Sequence, residues 1–219
     1  MTIGSHCSIG EPTPLADGPL TIGEHSLIRS HSIFYAGSTL GEGLSTGHRV
    51  TVREGLRAGA RCQIGTLCDL QGDAVIGHDT RLHSHVCVGK ESRIGDFVWL
   101  FPFVVLTNDV TPPSDLPLVG PVLEDFAVVG AMTVLLPGVR IGRGAVVGAH
   151  SRVAHDVGED RLAIGSPAAD IGPTRWVGLP DGSPAYPWRR HFHRGYPEDV
   201  VAGWLAELEQ RAGRRAPER

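Results

Sequence analysis

Bulky apolar residues return at every sixth position between Ile22 and Leu106: Ile22, Ile28, Phe34, Leu40, Thr46, Val52, Ala58, Ile64, Leu70, Ile76, Leu82, Val88, Ile94, Leu100 and Leu106. The two departures, Thr46 and Ala58, are small enough to sit inside. Four places after most stops comes a small or β-branched residue, among them Ser26, Ser32, Val50, Cys62, Cys68, Thr80 and Val98. A period of six is neither that of a helix nor the alternation of a simple strand, so it reads as a structural repeat. Each hexad predicts one very short strand with two inward positions. A tight corner follows, where Gly (Gly23, Gly41, Gly65, Gly77) or a polar residue turns the chain. Three hexads close a coil of eighteen residues, and coils stack at the strand-pairing spacing of about 4.8 Å. Each coil buries its apolar residues only against its neighbours, which defines a solenoid. A sandwich of short strands does not need so many stops in one phase.

The repeat begins at Ile3 and Ile9, and a loop rich in Pro and acidic residues from Glu11 to Pro19 bulges from the first coil. After Leu106 the register breaks. The segment TNDVTPPSDLPLVGPV, 107–122, carries four prolines and predicts a long loop leaving the wall of the solenoid. Loops of that length in a compact domain are usually functional. The sixes resume at Leu123, Val129, Leu135, Ile141, Val147 and Val153, and they stop at IGSPA, 164–168. The domain expectation is a solenoid over 1–165, a Pro/Gly-rich extension over 166–196 and a C-terminal helix and tail over 197–219. Pro197 near its start, Glu198 and Asp199 in the first turn, and an apolar stripe of Val200, Val201, Trp204, Leu205 and Leu208 signal that helix, with Gly213 near its end.

Composition narrows the function. A net charge of -4 and a pI near 6.2 offer no electrostatic footprint for nucleic acid. The longest apolar run, 97–106, is too short to span a bilayer and contains Pro102. The N-terminus lacks the basic, apolar and small-residue layout of a signal peptide, so a cytoplasmic protein is expected. The four cysteines form no CxxC pair, and Cys62 and Cys68 fall on inward positions, which predicts buried thiols. The segment 186–194, with Tyr186, Trp188, Arg190 and His191 among its residues, is aromatic and basic and has no assigned role.

The hexads, the resumed section VVGAMTVLLPGVRIGRGAVVGAHSRVAHDV and the IGSPA end resemble the hexapeptide-repeat acyltransferases over roughly residues 20–172. That resemblance implies a left-handed parallel β-helix, a hand that departs from the usual crossover rule. It also implies acyl-coenzyme A, here acetyl-CoA as co-substrate with no metal, and a homotrimer whose active sites lie between subunits. Gly130-Ala131 and Gly148-Ala149 are eighteen apart, so they stack in one column of minimal side chains where a pantetheine arm could meet backbone amides. Arg143 and Arg152 stand nearby for phosphates, and Gly165 and Pro167 complete the cofactor set. Small residues in such a column would equally let subunits approach closely.

For the acceptor, the place where relatives acting on hydroxyls carry a catalytic His reads Leu106-Thr107-Asn108-Asp109 here. A TND segment before a Pro-rich loop is similar to the nucleotide-sugar N-acetyltransferases, which implies an amine on a nucleotide-linked sugar as acceptor. Counting back without gaps, the position that is Asn in those relatives is His85 here. An attacking ammonium must lose a proton, and imidazole titrates near working pH, so His85 is the expected catalytic base. His83 is its helper or substitute, and Asn108 and Asp109 are expected to hold the substrate unless they only cap the loop. His31 shares the corner column of His85, but three coils away, about 14 Å off.

Three other readings remain. One is a hexapeptide acetyltransferase with an alcohol or amino acid acceptor. Another is a carbonic anhydrase of this fold, for which His78 and His83 form a tempting pair although position 42, where that family needs a third His, is Glu. The last is a non-catalytic scaffold. The run Phe97, Trp99, Phe101 and Phe103 is expected to face outward and to be covered by a neighbouring subunit.

Overall fold

The computed structural model describes residues 1–182, 185 and 196–214, with side chains in the last helix described through Gln210. The hexads form strands of mostly two residues, and strands eighteen residues apart pair in parallel, as in Gln63↔Arg81 and Ile64↔Leu82. Three sheets result. The first has ten strands, running from Thr2–Ile3 through Ser45–Thr46, Gln63–Ile64, Arg81–Leu82 and Trp99–Leu100 to a terminal antiparallel hairpin, Arg161–Gly165 with Ala168–Pro173. The second has eight strands, from Ser8–Glu11 to Arg152–Val153, and the third has seven, from Thr21–Ile22 to Arg140–Ile141. The unit Met1–Pro173 is therefore a parallel β-solenoid of about eight turns.

Its interior is the sixfold series itself. Ile28, Phe34, Leu40, Val52, Leu70, Leu100 and Leu135 are buried, and so are Thr46 and Ala58. The second inward position is closed by Val50, Cys62, Cys68, Val86 and Val98, and by Leu44 and Leu56 where a larger side chain fits. Where that position is Ser or Thr, the hydroxyl is tied to backbone: Ser32 donates to the Arg29 carbonyl at 2.8 Å and accepts from the Val50 amide at 3.2 Å. Buried hydroxyls thus cost little, because each finds a partner within the stack.

The corners are built differently from the expectation. The glycine after the aliphatic stop is not there for a left-handed backbone. A Cβ on Gly65 would lie 2.5 Å from the carbonyl carbon of His83 and from the amide nitrogen of Ser84, so the next coil leaves no room for one. Positive φ falls instead two residues later, mostly on larger residues: His31 at 65°, Leu67 at 61°, His85 at 62° and Phe103 at 64°. Such residues strain the backbone, and stacking between coils offsets that strain.

Residues 107–121 contain no strand, in line with the proline-rich loop. Its base is closed by the Val119 amide donating to Asn108 at 2.9 Å, and Val119 in turn accepts from Gly138 at 3.1 Å. The solenoid unit runs Met1–Pro173, so residues 166–173, expected in the extension, instead belong to the closing hairpin, 166–167 in its turn and Ala168–Pro173 as its second strand. Among its described residues the second unit, Thr174–Arg219, contains a 3-10 turn at Thr174–Trp176 and the helix Glu198–Arg214. Pro197 immediately precedes that helix and its carbonyl accepts from Val201 at 3.0 Å. Leu208 is buried, and Trp204 meets Tyr196 edge-on at 5.2 Å. No helix among the described residues is long and apolar enough to cross a membrane.

Candidate functional site

On the outer face of the first sheet lies a groove of about 300 Å³, crossing four coils. Strand register sets its lining. Arg29, Gly47, Gly65 and His83 each follow an inward residue of the same column, while Ser45, Gln63 and Arg81 each precede one and point outward. Glycine in the middle of the column keeps the floor low. None of the described residues lining the groove is acidic.

His83 stands at one end. Its ring lies flat on Phe101, centroids 4.7 Å apart and planes 14° apart, and tilts against Trp99 at 6.3 Å. Its Nε2 is buried and has no hydrogen-bond partner among the described residues, which leaves Nδ1 as the nitrogen within reach of a ligand. Burial, and then the charge of Arg81, hold its pKa below the ordinary imidazole value. The ring is therefore neutral at neutral pH, the state a proton acceptor needs. Arg81 itself lies over the Trp99 ring, 4.8 Å from its centroid.

His85 is not in this groove. It is exposed at the corner, stacked on Phe103 at 4.5 Å and 13°. The corner separates the two histidines: His83 directly follows the strand Arg81–Leu82, whereas His85, with φ 62°, lies past the turn. Asn108 donates to the Lys90 carbonyl at 3.3 Å. Asp109 accepts from Ser114 Oγ at 2.6 Å and from the Thr111 and Ser114 amides at 3.1 Å, which holds its carboxyl below the usual range. Both residues brace the loop, and neither joins His83 in the groove.

The expected cofactor residues are spread over several corners. Gly130-Ala131 and Gly148-Ala149 continue the column of His83 and Phe101 upward, since Leu100 pairs with Val129 and Val129 with Val147. A Cβ on Gly130 would lie 2.5 Å from the Ala149 amide nitrogen, so coil packing alone demands glycine there. Arg143 is at a different corner, ion-paired with Asp125 and 4.9 Å over Phe126. Arg152 is exposed on the second sheet. Gly165 and Pro167 shape the turn of the closing hairpin, with the Gly165 amide donating to Ser151 Oγ at 3.1 Å. Trp188 and Arg190 lie outside the described residues.

His78, half of the pair considered for zinc, accepts the Ala60 amide on Nδ1 at 3.0 Å, and no cluster of three metal-ligating side chains occurs among the described residues. The apolar run is less exposed than expected. Phe97 and Trp99 are buried within the single chain, Phe101 is half-buried, and only Phe103, at 46%, is open. Phe103 continues a corner column of Leu67, His85 and Met132, whose apolar members are all exposed. Sequence reasoning named Arg81 and Arg29 nowhere, because an arginine on a strand face reads as ordinary solvation until a groove is seen around it.

Fold and repeat define the class: a three-sided parallel β-solenoid built from hexapeptide repeats. Residues 120–155 match the family model "Bacterial transferase hexapeptide (six repeats)". The chain is similar to the bifunctional protein GlmU of an Exiguobacterium species, 29% identical over 164 residues, or 74% of this chain and 34% of that one. It is also similar to 2,3,4,5-tetrahydropyridine-2,6-dicarboxylate N-acetyltransferase of Staphylococcus aureus, 40% identical over 67 residues, 31% of this chain and 27% of the relative. The chain thus spans about a third or less of these curated relatives. Among solved structures, a hexapeptide-repeat-containing acetyltransferase from Vibrio cholerae superimposes with a TM-score of 0.43 at 25% identity, covering 50% of this chain and 72% of that one.

Proposed function

We propose that this chain is an acetyl-CoA-dependent N-acetyltransferase, with the amino group of a nucleotide-linked sugar as acceptor and homotrimer assembly around the solenoid. The observation that carries the reading is His83: a neutral, partly buried imidazole in a cation-rich groove, on the same column as Gly130 and Gly148. The hexapeptide transferase model over 120–155 and the N-acetyltransferase relative support the acyl donor.

The reaction needs three things from the chain. His83 takes the proton that the amine loses as it attacks the thioester carbonyl. The Gly130–Gly148 column leads the pantetheine arm toward that base, with the Gly165–Pro167 turn at its far end; as the C–N bond forms the C–S bond breaks, and coenzyme A leaves as a thiolate that takes the proton from His83. The arginines hold the acceptor's negative charge. Arg143, already neutralised by Asp125, has no part in this version of the site.

A second arrangement is favoured by the exposed corner column of Leu67, His85, Phe103 and Met132. Covered by a neighbouring copy, it would enclose His85 as the base. A thiol-release assay with acetyl-CoA and a panel of nucleotide-linked amino sugars tests the function. Turnover with an amino sugar supports it, and the absence of both turnover and acetyl-CoA binding refutes it.

A further inference from the structure

The groove has a feature beyond its base: two guanidinium groups and no carboxylate among the described residues of its lining. A second hollow is lined differently. That one, about 410 Å³ between the third sheet and its corner, also carries arginines, but it is lined by Glu124 and Asp125, and Asp125 pairs with its Arg143. In the His83 groove, Arg29 donates to the carbonyl of Thr46, which brings its head one coil toward His83. Thr46 pairs with Ile64, and Ile64 with Leu82, so that head sits two coils from the strand carrying His83, about 10 Å. Gly47 and Gly65 floor the gap, and Ser45 and Gln63 offer hydrogen bonds along its side. The gap is about the length of a pyranose with the phosphate on its anomeric oxygen.

We infer that this groove binds an organic pyrophosphate, that of the acceptor, with Arg29 on the phosphates and Arg81 beside the sugar near His83. The assignment rests on the acyltransferase reading for the identity of the acceptor. Guanidinium groups match phosphate oxygens in geometry and stay charged at every working pH. Coenzyme A carries a pyrophosphate too, so the donor is the competing source of the same chemistry. The direction of the column separates the two. Arg29 lies on the side of His83 away from Gly130 and Gly148, where the donor is placed, so the two ligands would meet end to end at the base.

The test is calorimetric binding of UDP, of inorganic pyrophosphate and of coenzyme A to the wild-type protein and to Arg29→Ala, Arg29→Lys and His83→Ala. Arg29 is exposed, so its variants should keep the wild-type melting temperature. A second variant, Arg81→Gln, addresses the other cation. The expected result is that Arg29→Ala weakens UDP and pyrophosphate at least tenfold, that lysine restores part of the loss, and that coenzyme A affinity is unchanged. His83→Ala should leave UDP affinity intact. UDP affinity in the wild-type protein should fall as salt rises. Unchanged UDP affinity in Arg29→Ala, or no binding of UDP or pyrophosphate by the wild-type protein, overturns the inference. So does a loss confined to coenzyme A, which would move the site to the donor. Wild-type protein that binds UDP through Arg29 but neither binds nor turns over acetyl-CoA would keep the pyrophosphate site and refute the acyltransferase reading.

Discussion

His83 lies flat on Phe101, one coil ahead, with ring centroids 4.7 Å apart. The pair couples packing to chemistry. The aromatic face and the burial it brings hold the imidazole in one orientation and disfavour its charged form. A base positioned in this way should be visible in the kinetics. His83→Ala is expected to lower kcat by about 10²-fold or more with little change in acetyl-CoA affinity. His85→Ala should retain most activity; the reverse result would move the base to the corner between copies. Protonated His83 cannot accept a proton, so kcat/KM should fall as pH drops. Because the pKa is held below the ordinary value, that acidic limb should lie below about pH 6.5 and vanish in the Ala variant.

Asp79 is 1% exposed and grips Arg61 of the preceding coil with two bonds, 2.7 and 2.8 Å. Its backbone is left-handed, φ 58°, a conformation Asn tolerates. Asp79→Asn therefore removes the charge without new backbone strain. The expected cost is about 3 kcal/mol, toward the lower end for a broken buried pair because Arg61 keeps some solvent. Urea melts of the two proteins measure it, and a change under about 0.5 kcal/mol would show that the pair contributes nothing net.

Gly65 and Gly203 should respond to alanine with opposite signs. At Gly65 the new methyl group would press on the backbone of His83 and Ser84, destabilising by about 1–3 kcal/mol and displacing the base, so activity falls with stability. Gly203 lies inside the C-terminal helix with open space around it. Gly203→Ala should stabilise that helix by up to about 1 kcal/mol. Thermal melts of each variant, with acetyl transfer measured beside them for Gly65→Ala, make the comparison.

Burial pushes the Cys62 thiol up to about 12 and the Cys68 thiol to about 11, and both donate to backbone carbonyls. Since the thiolate is the reactive form, neither should alkylate in the native protein at pH 8. Iodoacetamide labelling read by mass spectrometry should mark Cys7 first, with Cys62 and Cys68 appearing only in denaturant. Native labelling of Cys62 would mean that the stack opens locally.

Much of the fold could be read from spacing alone. Ile28, Phe34 and Leu40 recur in sixes because each coil must drop an apolar side chain into the same interior, and register follows once strands are eighteen apart. The break at 107–121 was legible for the converse reason, since prolines cannot join a ladder of backbone hydrogen bonds. The reason for Gly65 was not. Local sequence suggests a glycine that turns, while the demand comes from His83 and Ser84, eighteen residues on, whose backbone fills the space of a Cβ. Position 85 drew attention by its distance from the loop. Which histidine shares a groove with Arg29 and Arg81 depends on which side of one corner each ring falls, and on Phe101 and Phe103 stacked behind them. That Arg143 meets Asp125 was likewise not visible in the sequence. A one-dimensional repeat writes its core into the sequence because that core is periodic. Its outer surface is aperiodic, and only the stacked coils determine which charges meet there.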